Sequence, residues 1–157
     1  MLLDTNALFL PVRVGFPLEA EVDRHLPGAR MTVATSTIRE LDRLIARRTA
    51  GAVAARALAD RFPRAETASA GDRAIVELAS RRGWAVVTAD RALAAELSAV
   101  GVAVLVPRDR HRLELHPGRV ARGVEPTTSP LFAATVKNRA ELGRVGGRNR
   151  RCATTTG

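Results

Sequence analysis

Cys152 is the only cysteine, so no intrachain disulfide can staple this chain. Tyrosine is missing, Trp84 is the sole tryptophan, and aromatic side chains make up 3% of 157 positions. That scarcity argues against gripping single-stranded nucleic acid on a platform of stacked rings. Any core must therefore be aliphatic, and with 46% apolar residues the chain has the Leu, Val, Ala and Ile to build one. Lysine is nearly absent as well; apart from Lys137 the positive charge is all arginine. Its planar fork suits phosphate, although genome composition can produce the same bias. No apolar run approaches the ~20 residues that cross a bilayer. The first residues show no n-region, apolar h-region and cleavage site in order. A soluble cytoplasmic protein is the resulting expectation, of a length that suits one domain.

Charge is unevenly spread. Residues 1–107 carry 14 basic and 12 acidic side chains, whereas residues 108–157 carry 11 and 4. The body is thus nearly neutral and the last third basic. A basic arm suits a polyanion such as nucleic acid; a solvated, self-repelling tail has the same composition. From about Pro117 the sequence is rich in Gly, Arg and Thr and loses periodicity. Two parts are expected: a folded unit over residues 1–116 and a basic, flexible tail over 117–157.

Within the first part, strand and helix patterns alternate. Met1–Leu3 reads as a strand ending at Asp4. Ala7–Val14 is apolar but interrupted by Pro11, which predicts a loop or an irregular helix start. Pro17 to Leu26 reads as a helix, broken by Pro27-Gly28, and Met31–Ala34 as a second strand. Thr37 to Arg48 places Ile38, Leu41, Leu44 and Ile45 on one helical stripe. Ala52 to Phe62 is a further helix closed by Pro63, and Ala65–Ala70 a small, polar loop. Asp72 to Arg82 is a helix stopped by Gly83, Ala85–Thr88 a strand, and Arg91 to Val100 a helix with Leu93, Leu97 and Val100 inward. Val102–Val106 is a continuous apolar run, as for a strand covered on both faces. Leu113 and Leu115 suit a short edge strand. This alternation predicts an α/β fold with a parallel sheet.

On that layout the acids acquire positions. Asp4 and Asp90 each follow a strand, Asp72 opens a helix, and Glu40 lies early in the helix after strand two. In an open α/β sheet, strand C-terminal ends and the helix starts after them line one edge, where ligands bind. Four acids from four connections thus point to one place. Close together and ionised they repel, by ~4 kcal/mol per pair at ~4 Å and an effective dielectric near 20. Hard cations relieve this, and all-oxygen ligands select Mg²⁺ or Mn²⁺. His25, His111 and His116 fall away from these strand ends, which argues against zinc. Each acid alone has a structural reading: an Asx-turn at Asp4, a capping box from Thr37 to Glu40, and N-caps at Asp72 and Asp90. Their joint placement favours chemistry, because independent caps need not share a sheet edge.

Three segments resemble the PIN-domain family: MLLDTNALFLPV at the start, TSTIRELDRL, and GDRAIVELASRRGWAVVTADRALAAELSAVGVAVLV with its Thr88-x-Asp90. They span about residues 1–107. The resemblance implies a three-layer α/β sandwich with a central parallel sheet and helices on both faces, and a Mg²⁺- or Mn²⁺-dependent endoribonuclease. It implies that Asp4, Glu40, Asp72 and Asp90 bind the metal, with Asn6 and Thr88 as supporting polar groups. Asp-Thr-Asn-Ala-Leu with its Pro11 loop, and the basic stretch before Leu113-Glu114-Leu115, look nearer to the ribosomal-RNA-processing branch than to VapC toxins. RNA, such as a ribosomal RNA precursor, is the implied partner; a homodimer is compatible. A toxin held by an antitoxin and a catalytically silent RNA-binding module are the alternatives. Arg91, beside Asp90, and the Arg148, Arg150 and Arg151 cluster are candidate phosphate contacts.

Overall fold

The computed structural model describes residues 1–118; the tail and its candidates Arg148, Arg150 and Arg151 lie outside them. In chain order the elements are β1 (Leu2–Leu3), α1 (Thr5–Val14), α2 (Leu18–His25), β2 (Thr32–Ala34), α3 (Thr35–Ala46), α4 (Ala52–Ala59), β3 (Arg64–Ala65), α5 (Gly71–Arg82), β4 (Val86–Val87), α6 (Arg91–Ala99), β5 (Val104–Pro107) and β6 (Leu113–His116). The strands form one sheet in the order β3-β2-β1-β4-β5-β6. β1 to β5 run parallel, and β6 returns antiparallel to β5 with Leu105 opposite Leu115.

The strands are short, but their alternation sorts side chains cleanly to two faces. Leu3, Val33, Val87 and Leu105 point to one side, where α1 to α4 supply Leu8, Phe9, Val22, Ile38 and Leu41. Leu2, Ala34, Val86 and Val104 point to the other, onto Ile75 and Leu78 of α5 and Leu93 and Leu97 of α6. The result is three layers, helix on sheet on helix, with an aliphatic core on each side. The half-buried Trp84 packs at the margin of the second core.

Sequence and structure differ in four places. Pro11 does not break the chain: α1 is continuous from Thr5 to Val14 and ends at Gly15, whose φ of 64° is left-handed. An internal proline costs about 3 kcal/mol. Burying Leu8 and Phe9 returns ~1.5–3 kcal/mol each, enough to outweigh it. Second, α3 begins at Thr35, not Thr37. Its first turn is held from outside, by Thr67, whose Oγ1 accepts from the Ser36 amide at 3.2 Å. Third, Arg64–Ala65 is a strand rather than a loop, because the Ala34 end of β2 offers it a parallel partner. Fourth, Val100 lies past the end of α6 and is exposed rather than inward.

The edge strand β6 is tied down by a polar clamp from α2. Glu21 takes two bonds from Arg24, Nε to Oε1 at 3.0 Å and Nη2 to Oε2 at 2.8 Å. The same Oε2 accepts the Leu113 amide at 2.8 Å, and Leu113 O lies 2.8 Å from His25 Nε2. Arg24 holds the Glu21 carboxyl down at about 2 against the opposing effect of burial, with further help from the Leu113 amide.

Candidate active site

β1 and β4 are neighbours, yet from β1 the order proceeds to β2 and β3 and from β4 to β5. The gap between their C-terminal ends is the switch point where open α/β sheets bind ligands. Asp4 leaves β1 and Asp90 follows β4, one on each side of it.

A single threonine joins them. Thr88 is fully buried, and its Oγ1 donates to Asp4 Oδ2 at 2.8 Å while accepting the Asp90 amide at 3.0 Å. Asp4 Oδ2 also accepts the Asn6 amide at 3.3 Å, and Asp4 is the N-cap of α1. Asp90 is the N-cap of α6, its Oδ1 accepting from the Ala92 and Leu93 amides at 2.8 and 3.1 Å. The Asx-turn reading of Asp4 fits its bond from the Asn6 amide and the cap reading of Asp90 is correct, and neither role excludes chemistry. The bonds to each carboxylate gather on one oxygen, which fixes its orientation.

Glu40 and Asp72 are not caps. The shift of the α3 start places Glu40 a turn and a half into the helix, out of reach of a capping box. It instead accepts the Thr5 hydroxyl at 2.6 Å, across 35 residues of sequence. Asp72 lies second in α5, where Ala70 is the cap position and no side chain caps the helix. It is exposed and stands among other acids.

Electrostatics binds the four into one group. Burial pushes the Asp4 carboxyl upward, hydrogen bonds from Thr88 and the backbone oppose this, and the charge on Glu40 adds to the rise. Asp72 is also raised, first by partial burial and then by Asp90, Glu40 and Glu96. Glu40 thus acts on both Asp4 and Asp72, and Asp90 on Asp72.

The sequence reading missed Thr5, Thr67 and Glu96. Thr5 had a signal, being a hydroxyl next to the first acid at a strand exit. Thr67 lies in a segment read only as a loop. Glu96 had none, since only the packing of α6 on α5 brings it near Asp72. Asn6 contributes its backbone amide; its side chain is exposed. Arg91 is exposed next to Asp90.

An edge lined with carboxylates is a donor set for a hard divalent cation. Burial raises the carboxyls of Asp4 and Asp72 first, and the charges of Glu40 on both and of Asp90 on Asp72 add to it, a strain that a cation would relieve. Among the described residues, no three acid, His or Cys groups stand close enough together to hold an ion as they are. The donor chemistry therefore fits, and the ligand shell is not assembled in advance.

This edge on a doubly wound sheet marks an α/β domain built to bind at its switch point. Residues 1–110 match the family described as PIN like domain, and the chain belongs to that family. None of the curated proteins matches it. Solved structures do match. One, described as the PIN domain endonuclease Utp24, superposes with a TM-score of 0.62 at 20% identity, over 76% of this chain and 94% of that one. Among the described residues no helix is long and apolar enough to cross a membrane.

Proposed function

We propose that the chain is a metal-dependent endoribonuclease that hydrolyses RNA phosphodiester bonds at the edge of its sheet, with a ribosomal RNA precursor as substrate. The carrying observation is the unit Asp4–Thr88–Asp90 at the switch point, with Glu40 and Asp72 in electrostatic reach. Asp4 and Asp90 are the principal ligands for Mg²⁺ or Mn²⁺, and Glu40 and Asp72 complete the set. When bound, such an ion supplies an activated water and stabilises the leaving oxygen of the phosphodiester. Thr88 ties the Asp4 carboxylate to the Asp90 backbone, and Thr5 holds the Glu40 carboxylate by its hydroxyl. Two supports point to RNA: family membership, and the exposed arginines Arg108, Arg110 and Arg112 in the β5–β6 hairpin, which leaves the sheet at the same edge. The choice of ribosomal RNA rests on the sequence resemblance to that branch of the family.

The test is cleavage of a labelled structured RNA with Mg²⁺, Mn²⁺ or EDTA, beside Asp90→Asn. Asparagine also caps helices well, so this variant should fold. Cutting that requires the metal and vanishes in the variant is the expected outcome. A readout independent of activity is thermal stability. A cation that binds only the folded state raises the melting temperature by mass action, and Asp4→Asn should blunt that rise. RNA bound equally by both proteins and cut by neither would identify a silent binding module instead.

A further inference from the structure

A cleft of about 360 Å³ opens beside Asp90 and runs between α6 and the β5–β6 pair. Its floor is small and apolar, from Ala94 and Ala95 on α6 and Val106 on β5. Register explains the opening. Leu113 and Leu115 of β6 turn to the first core, so Glu114 and His116 face the α6 side, where α6 packs on β5. Alanines on α6 leave the space unfilled. Arg91 stands at the mouth, next to the acidic edge, and His116 lies along the wall. Because His116 pairs with Val104, at the far end of β5, the cleft follows the strand for roughly 10 Å.

We propose that this cleft receives one unpaired nucleotide adjoining the scissile bond, with Arg91 on its phosphate and His116 on its base or sugar. The choice of RNA as occupant rests on the nuclease reading above. Continuity supports the assignment, since Asp90 lines both the acidic edge and the cleft. Charge supports it too: the acids alone would repel a polyanion, and Arg91 with the hairpin arginines flanks them at that edge. A cleft of about 360 Å³ is too small for a duplex, whereas a splayed single strand is the form in which proteins read RNA bases. The cleft has no aromatic wall, so it should select for an unpaired state more than for sequence.

The test uses the full chain in EDTA and a short single-stranded RNA carrying one 4-thiouridine. Crosslinks are expected on α6 or the β5–β6 pair. Ala95→Trp fills the cleft from an exposed position and should weaken binding by about tenfold, the scale of one lost base contact. Arg91→Glu, a surface change with no folding liability, should weaken it several-fold. Val53→Trp adds the same bulk on exposed α4 and should bind as the wild type. RNA binding and crosslinks indifferent to both cleft variants would overturn the proposal, and would leave the cleft to another occupant such as a partner's peptide. With Mn²⁺ added the two readings separate. Wild-type protein that binds through the cleft but cuts nothing refutes the nuclease and keeps the cleft. Cutting that Ala95→Trp and Arg91→Glu leave untouched does the reverse.

Discussion

Asp4 and Glu21 are both acids shut away from solvent, and their surroundings push them in opposite directions. Glu21 meets Arg24 and a backbone amide, and its carboxyl is held at about 2. Asp4 meets Thr88, amides and the charge of Glu40, and its carboxyl is raised. Burial opposes ionisation at both sites; what differs is whether a cation stands ready. In the α2–β6 clamp the protein supplies its own. Among the described residues no cation pairs with Asp4, the nearby arginines flanking the edge rather than binding its carboxyl, and a negative cluster is left for something from outside to neutralise. One acid adds to stability and the other costs it, the contrast on which the proposed site rests.

The contrast can be broken or sharpened by substitution. The largest effect is expected from Asp4→Asn, which should abolish metal-dependent cleavage while leaving stability equal or higher. Relief of ~1 kcal/mol would appear as a rise of roughly 4 °C in melting temperature. Retained cleavage, or a large fall in melting temperature, would remove the distinction. Thr88→Val should slow cleavage by about 10–100-fold, as for other residues that orient metal ligands, with Thr88→Ser restoring much of the rate. Glu21→Gln should cost about 1–3 kcal/mol in denaturant unfolding, because Arg24 and the Leu113 amide lose a charged partner, yet leave turnover per folded molecule intact. Ser36→Ala should be within about 0.5 kcal/mol of the wild type or slightly better, since the buried Ser36 hydroxyl has no hydrogen-bond partner.

Acid sharpens the comparison further, because the signs differ. A lowered carboxyl contributes stability above its unfolded value, and that contribution is lost as pH falls through the folded value. The deficit of Glu21→Gln relative to the wild type should therefore be constant above about 4.5 and shrink as pH falls toward about 2. For Asp4 the raised carboxyl costs stability when ionised, so any advantage of Asp4→Asn should fade as acid protonates the wild type. Denaturation midpoints of the three proteins across that range decide the point; parallel curves would contradict it.

Much of this was legible in the sequence because apolar runs and strand exits are local signals. β1, β2, β4 and β5 and the acids after them were placed from periodicity alone. What failed depended on partners far along the chain. The capping box Thr37 to Glu40 was plausible until Thr67 moved the start of α3, and two-residue β3 carries no pattern of its own. Pro11 misled because a local cost was judged without the burial of Leu8 and Phe9. In the candidate site, acid positions followed from topology, whereas the bond from the Thr5 hydroxyl to Glu40 and the approach of Glu96 are products of packing.

The bond between Thr88 and Asp4 closes a loop of 84 residues. Contacts of that span form late, after the entropy of bringing distant segments together has been met. A growing chain that has Asp4, Glu40 and Asp72 in place can give its first acid only local amide bonds, because β4 must lie beside β1 before the threonine can reach. The centre therefore comes into being only as the last parallel strands dock. Any opening that lifts β1 from β4 breaks the Thr88–Asp4 bond, so the arrangement of these acids stands or falls with that one strand pair.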